Sequence, residues 1–201
     1  MVQVRKKAVE QAILDSAFEL FSEHGYRQTK LADVAARANI GVGNIYSYFP
    51  SKIQLLYRVY SPWLSAQLRL LEARVARQPD RRAKMRTLLL GLWQDIPKEN
   101  PGLANSLMEA LATAEPGSGK QDRLIHDFEA QISRILATAL PESRSHLAGR
   151  GLISNLIVMA YDGFVINRRI GDLRDLDALV DDMCLLIFGP KPAQVDDGAK
   201  P

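Results

Sequence analysis

Asn44, Tyr46, Ser47 and Tyr48 cluster in one short stretch and carry an amide and three hydroxyls; Gly41, Val42 and Gly43 precede them and Lys52 follows. The chemistry these types offer at this spacing is recognition of a duplex. An asparagine amide bonds a base edge or a phosphate oxygen, and tyrosine hydroxyls donate to phosphates. Val42 has no hydrogen-bonding group, so its direct readout is apolar contact with a thymine methyl. Gly41 and Gly43 are small where a backbone must come close to the groove. Lys52 adds positive charge beside a helix N-terminus, whose free amides already suit a phosphate. A plain packing unit with surface tyrosines explains any one of these residues equally well, but the whole set far less well.

These side chains need elements to hold them. Leu31, Val34, Ala35 and Ala38 recur at helical spacing, so 29–38 reads as a helix with one buried face and Thr29 as its N-cap. Asn39 tolerates the left-handed conformation that stops a helix, and Ile40 plugs the angle that follows. Gly41 starts a second helix whose Ile45 and Phe49 point inward, leaving Val42, Gly43, Asn44, Tyr46 and Ser47 outward. Pro50-Ser51-Lys52 opens a third, with Ser51 as cap. The pattern is a helix-turn-helix with a small, mostly uncharged reading face. Its expected DNA-binding residues are Thr29, Gly41, Val42, Gly43, Asn44, Tyr46, Ser47, Tyr48 and Lys52.

Residues 9–56 resemble the N-terminal domain of TetR-family transcriptional regulators. The matching motifs are AILDSAFELFSEHGY at 12–26, Thr29, DVAARA at 33–38, GNIYSYF at 43–49 and Ser51-Lys52. Within them Asn39 stands where that family usually has glycine, and Gly41 where it has a Ser or Thr cap. Val42 stands where a polar or basic residue is frequent, and Tyr48 where histidine is frequent. The resemblance implies a homodimeric repressor on a two-fold-symmetric DNA operator, relieved by a small apolar or amphipathic effector held between the central helices. An activator or a ligand-independent DNA-binding dimer is the alternative.

The 201 residues are 47% apolar and 24% charged, an ordinary globular composition. Net charge is +3, and residues 1–52 hold seven basic against five acidic groups, so a slight excess sits on the reading third. Cys184 is the single cysteine, which allows no intrachain disulfide and suits a reducing cytosol. The basic N-terminus lacks the apolar run of a signal peptide. Leu152–Ile166 is interrupted by Asn155 and Asp162 and is shorter than the ~20 residues a bilayer needs. A soluble cytoplasmic protein without a membrane partner is expected.

No segment alternates with period two, so the expected fold is all-α, in three parts: a helix-turn-helix domain over 1–60, a helical effector-binding and dimerisation domain over 61–189, and a disordered tail over 190–201. Residues 1–7 read as a flexible basic arm and about 7–24 as a helix ended by Gly25. A helical pattern from Lys52 to Arg77 is interrupted at Ser61-Pro62, where proline removes a hydrogen bond and places a joint between head and body. Further helices are expected over 80–96, over 101–114 with Asn100 as cap, and over 120–140. A long helix over 142–170 and a last one, capped by Asp172 or Asp175 and ending near Phe188, complete the chain.

Trp63, Leu89, Trp93, Met108, Phe128 and Tyr161 are the candidates for an adaptable effector pocket, although aromatic and methionine residues at helical spacing are more often plain core. Asp162 interrupts an apolar helix and needs a partner, for which Arg168, Arg169 or a dimer mate would serve. The last two helices carry surplus apolar surface, which points to a homodimer through Leu156, Met159, Gly163, Leu176, Leu179, Val180, Met183 and Ile187. Enzyme chemistry finds little support. Glu-x-x-His and Gly-x-Ser-x-Gly are absent, and Gly117-Ser118-Gly119-Lys120 has neither the upstream glycine nor the strand of a phosphate loop. Asp122, His126 and Glu129 share a helix face that is better read as solvated than as a metal site. No catalytic residue, metal or cofactor is expected.

Overall fold

The computed structural model describes residues 2–115, 121–172 and 175–190. The chain is all-α. The first helix, α1 (Val2–Gln28), already begins at Val2, so the N-terminal residues are helical rather than a flexible arm. Gly25 adopts φ 78° within it, a left-handed backbone that glycine enters without steric cost, and this break turns the last residues away from the helix axis. Two short helices follow, α2 (Leu31–Arg37) and α3 (Val42–Tyr48). The turn between them is the expected one. Asn39 sits at φ 54°, the Ile40 amide donates to the Ala35 carbonyl and the Asn39 amide to the Ala36 carbonyl, closing the end of α2.

Helix α4 (Lys52–Ala76) runs unbroken through Pro62, which corrects the interrupted helix read from the sequence. Pro62 lies on the exposed side of α4, where its ring has room, while Leu55, Leu56, Val59, Tyr60, Leu64, Leu68, Leu71 and Val75 line the opposite side and are buried. One stripe therefore serves both parts of the chain, and a boundary after residue 60 falls within a single rod.

Asp80 caps α5 (Arg81–Leu90), which passes through a π-helical turn at Gly91–Asp95 into α6 (Ile96–Glu99). Pro97 lies inside this run rather than ending it. Asn100 caps α7 (Pro101–Ala112) by accepting from the Leu103 amide at 2.9 Å. Helix α8 is Gln121–Ala139. The long helix expected over 142–170 is two pieces: a 3-10 stretch at Glu142–Arg150 and α9 (Leu152–Arg169), separated by Gly151 at φ 71°. Asp175, rather than Asp172, caps α10 (Leu176–Phe188). The expected tail and the loop at 116–120 lie outside the described residues, apart from Pro190.

The core is one continuous apolar cluster running from Ile13 and Phe21 through α4 to Tyr161 and Cys184. Polar groups pin the outer helices to it. The Trp93 indole donates to the Ile157 carbonyl at 3.1 Å, and Arg86 of α5 holds Asp177 and Asp181 of α10.

Candidate functional site

The periodicity of α3 divides its residues between core and solvent. Ile45 is fully buried and Phe49, just past the helix, is 3% exposed. Gly41, Val42, Gly43, Asn44, Tyr46 and Ser47 are all exposed and share one surface, with Tyr46 at 57%. A Cβ at Gly41 or Gly43 would meet nothing within 4 Å, so the surface is open along the helix. Tyr48 is half-buried, and the Lys6 ammonium stands 6.0 Å from its ring, which places beside α3 a cation that the sequence assigns to a loose arm.

Two of the expected contact residues lie elsewhere. Thr29 is 1% exposed, and its hydroxyl donates to the carbonyls of Leu20 at 3.1 Å and Gly25 at 2.7 Å. The N-cap of α2 is Lys30, whose amide donates to the Asp33 carboxylate at 3.3 Å. Lys52 points into the head, not out of it. Its ammonium donates to the carbonyls of Tyr26 at 2.7 Å and Thr29 at 3.0 Å and lies 4.3 Å from the centre of the Tyr26 ring. Burial lowers its pKa, partly offset by Glu109. Both residues thus satisfy carbonyls freed where α1 breaks at Gly25. Ser51 caps α4 as expected, accepting from the Gln54 amide. Other head cations are paired: Arg37 with Glu19 and Glu23, and Arg58 with Glu10.

The head is seated on α7. The Ser106 hydroxyl donates to the Phe21 carbonyl at 2.9 Å, and the Asn100 amide to the Ser22 hydroxyl at 2.8 Å. Gly102 comes so close that a Cβ there would lie 1.8 Å from the Ser22 carbonyl oxygen. Glu109 accepts from the Arg27 amide at 2.9 Å and pairs with Arg169 of α9 at 2.7 Å. Burial opposes ionisation of its carboxyl, but the bonds from Arg27 and Arg169 prevail and hold its pKa below the usual range. Arg169 therefore serves Glu109 rather than Asp162. Sequence reasoning did not single out Glu109; nothing in its local pattern marks it.

Two cavities divide the effector candidates. One, of about 190 Å³, lies between α4, α7, α8 and α9 and is lined among the described residues by Tyr57, Leu64, Leu107, Leu111, Phe128, Glu129, Val158, Met159, Tyr161 and Asp162. At its base the Tyr60 and Tyr161 hydroxyls share a buried hydrogen bond of 2.7 Å, and burial raises both phenols' pKa. Desolvation lifts the Asp162 carboxyl to about 6. The other cavity, of about 200 Å³, is almost wholly apolar and is bounded by Met85, Leu89 and Trp93 with Ile157, Phe164 and Met183. Phe128 and Tyr161 line the first, Leu89 and Trp93 the second. Trp63, packed on Tyr60, and Met108, 8% exposed, line neither.

Residues 13–59, which take in the second part of α1, the α2–α3 unit and the start of α4, match the family model described as bacterial regulatory proteins, tetR family. That stretch is a TetR-type N-terminal domain. The chain is similar to the HTH-type transcriptional repressor KstR of Mycobacterium tuberculosis, at 26% identity over 68% of this chain and 62% of that one. The match thus spans less than two thirds of that relative. The fold is shared with a putative transcriptional regulator from Rhodococcus sp. RHA1, with TM-score 0.70 and 18% identity over 91% of this chain and 97% of the other. It is shared also with FadR from Bacillus subtilis, solved in complex with stearoyl-CoA, with TM-score 0.64 and 20% identity over 90% and 99% of the two chains. KstR is a transcriptional repressor, and the part of this chain that matches the family model, residues 13–59, carries the helix-turn-helix of α2 and α3.

Beyond the TetR head, α9 and α10 expose a run of large apolar side chains. Leu156 is 64% exposed, Met159 67%, Ile170 71% and Leu186 77%; Leu152, Ile166, Leu179 and Leu185 join them. Gly163 lies on α9 with no atom within 4 Å of where its Cβ would be, and Leu176, Met183 and Ile187 are half-buried. Val180 is fully buried within the protomer and cannot take part in a subunit contact. Its neighbour Leu179 can. Among the described residues no helix is long and apolar enough to cross a membrane, and no group of three His, Cys, Asp or Glu could hold a metal.

Proposed function

We propose that the protein is a homodimeric repressor that binds a two-fold-symmetric operator through α3 and leaves it when a small effector binds among the central helices. The observation that carries this reading is the exposed face Gly41–Ser47, backed by fully buried Ile45 and seated through α1 on a helix that also walls a cavity. Gly41, Val42, Gly43, Asn44, Tyr46 and Ser47 are the direct readers, with Tyr48 and Lys6 on the adjoining backbone. Residues 1–60 form the reading head and 61–189 the effector-binding and dimerisation body, with α4 common to both.

Dimerisation follows from the apolar run on α9 and α10. Patches of this kind on a monomer mark interaction surfaces, and an isologous pairing buries the same two helices of each subunit. Two heads then read half-sites about one DNA turn, ~34 Å, apart. The capture of stearoyl-CoA by a structural relative supports an effector in the body. Helix α7 presents Leu107 and Leu111 to the smaller cavity while Ser106 and Glu109 hold α1, so a ligand that displaces α7 shifts the heads. Such a ligand acts only through its unequal affinity for the two arrangements.

The test is selection from a randomised duplex pool, followed by anisotropy on the recovered sequence and light scattering of the free protein. A palindromic site bound by two chains supports the reading. A monomer at micromolar concentration with no sequence preference overturns it.

A further inference from the structure

The cavity between α4, α7, α8 and α9 has an unbalanced charge. Its walls are Leu64, Leu107, Leu111 and Val158, with the rings of Phe128 and Tyr161 meeting edge to face at 5.7 Å. Two acidic residues line it, Asp162 of α9 and Glu129 of α8. Among the described residues no cation lines it, and no hydrogen bond or ion pair reaches Asp162. The arginines nearest in sequence lie elsewhere: Arg169 holds Glu109, and Arg168 lines a different surface cavity with Trp93. Among the described residues, the other titratable groups around Asp162 are the Tyr57, Tyr60 and Tyr161 phenols, whose hydroxyls supply no positive charge.

A desolvated carboxylate with no counter-charge is costly, and a cation that entered with its own apolar surface would relieve that cost. Aromatic faces beside the carboxylates add attraction for the same charge. Size narrows the class. An apolar protein cavity of roughly 150 Å³ holds one benzene, and this one has about 190 Å³.

We propose that this cavity takes a small lipophilic cation, an ammonium carried on about one ring of apolar surface, with Asp162 and Glu129 as its counter-charges. The inference rests on reading the body as effector-binding, and binding is therefore measured first on the protein without DNA. An anionic or neutral head group would face two acids at the same place, so the sign of the charge is the discriminating property. Protonation of Asp162 would remove half of the attraction, so affinity for the cation falls as pH drops through about 6.

The experiment compares 2-phenylethylamine, 2-phenylethanol and phenylacetate by calorimetry and thermal shift at pH 7.5. The amine is expected to bind at least tenfold more tightly than the alcohol, and phenylacetate not to bind. Asp162→Asn, verified to melt cooperatively, should bring the amine down to the level of the alcohol, and Glu129→Gln should weaken it by a smaller factor. Equal affinity for amine and alcohol, preference for phenylacetate, or an amine preference that survives in both variants overturns the assignment. So does failure of all three to bind. Operator release is then read by anisotropy: an amine that binds without releasing DNA supports the ligand class and overturns effector relief.

Discussion

Gly102→Ala tests the seat of the reading head most directly. The added Cβ would lie 1.8 Å from the Ser22 carbonyl oxygen and 2.7 Å from its carbon, whereas ordinary contact begins at 3.4 Å. Both partners are backbone, so no rotamer change relieves the clash; α1 and α7 must part by about 1.6 Å, the difference between 1.8 and 3.4 Å. That motion stretches the Ser106–Phe21, Asn100–Ser22 and Arg27–Glu109 bonds from 2.8–2.9 Å past bonding range. Overpacking costs about 1–3 kcal/mol, and each weakened bond adds about 0.5–1.5 kcal/mol. Even the low end of that sum, ~3 kcal/mol, lowers Tm by roughly 6–12 °C in a chain of this size. Calorimetry reads the stability, and anisotropy reads the operator affinity, which should fall with it. Gly43→Ala is the control. Its Cβ meets open space, so Tm should hold while operator affinity drops at least tenfold through the altered reading surface. A Gly102→Ala protein that melts within a degree or so of the parent would refute the seat.

Lys52→Ala should lower Tm, by about 1–3 kcal/mol of lost stability, because the Tyr26 and Thr29 carbonyls lose a charged donor. The salt dependence of operator binding should not change; a slope lower by one unit at unchanged Tm would restore the lysine to a phosphate. Leu179→Asp should leave the protomer folded and dissociate the dimer in sedimentation, whereas Val180→Asp, buried in the protomer, should unfold it; dissociation without unfolding for Val180→Asp would be the contrary result. Asp162 has a folded-state pKa of about 6, above its ordinary 3.8, so its ionisation costs nothing below pH 4, destabilises increasingly from there to about pH 6, and costs a constant amount above. Asp162→Asn should therefore raise the ligand-free Tm at pH 7.5 by about a few degrees and leave it unchanged at pH 3.5; equal shifts at both pH values would show that ionisation is not the cause.

The parts of the fold legible in the sequence are those fixed by local periodicity. Ile45 and Phe49 set which way α3 faces, and Asn39 marked the turn, because helix spacing and backbone tolerance are properties of neighbours in the chain. The failures share a non-local cause. Thr29 and Lys52 have the right types for DNA contact, but carbonyls freed by the break at Gly25 claim them first. Val180 and Leu179 are adjacent on an all-apolar helix, and only packing separates the buried one from the exposed one. Gly151 did signal a break in 142–170, yet the apolar run after it concealed the signal. Pro62 was read as a joint because proline opposes helix interiors, but its position on the outer side of α4 leaves room for the ring. The pairing of Glu109 with Arg27 and Arg169 joins residues more than fifty positions apart, beyond any local pattern.

The unbroken α4 has a mechanical consequence. Its 25 residues make a rod of about 37 Å at 1.5 Å per residue. Pivoted at its C-terminal end, such a lever converts a tilt of about 5° into a displacement of roughly 3 Å at Lys52, close to the ~3.4 Å rise of one base pair. With two subunits tilting oppositely, the separation of the reading helices changes by roughly twice that. A side-chain adjustment too small to disturb packing at the body thus becomes a full step of register at the DNA, provided that the rod does not bend.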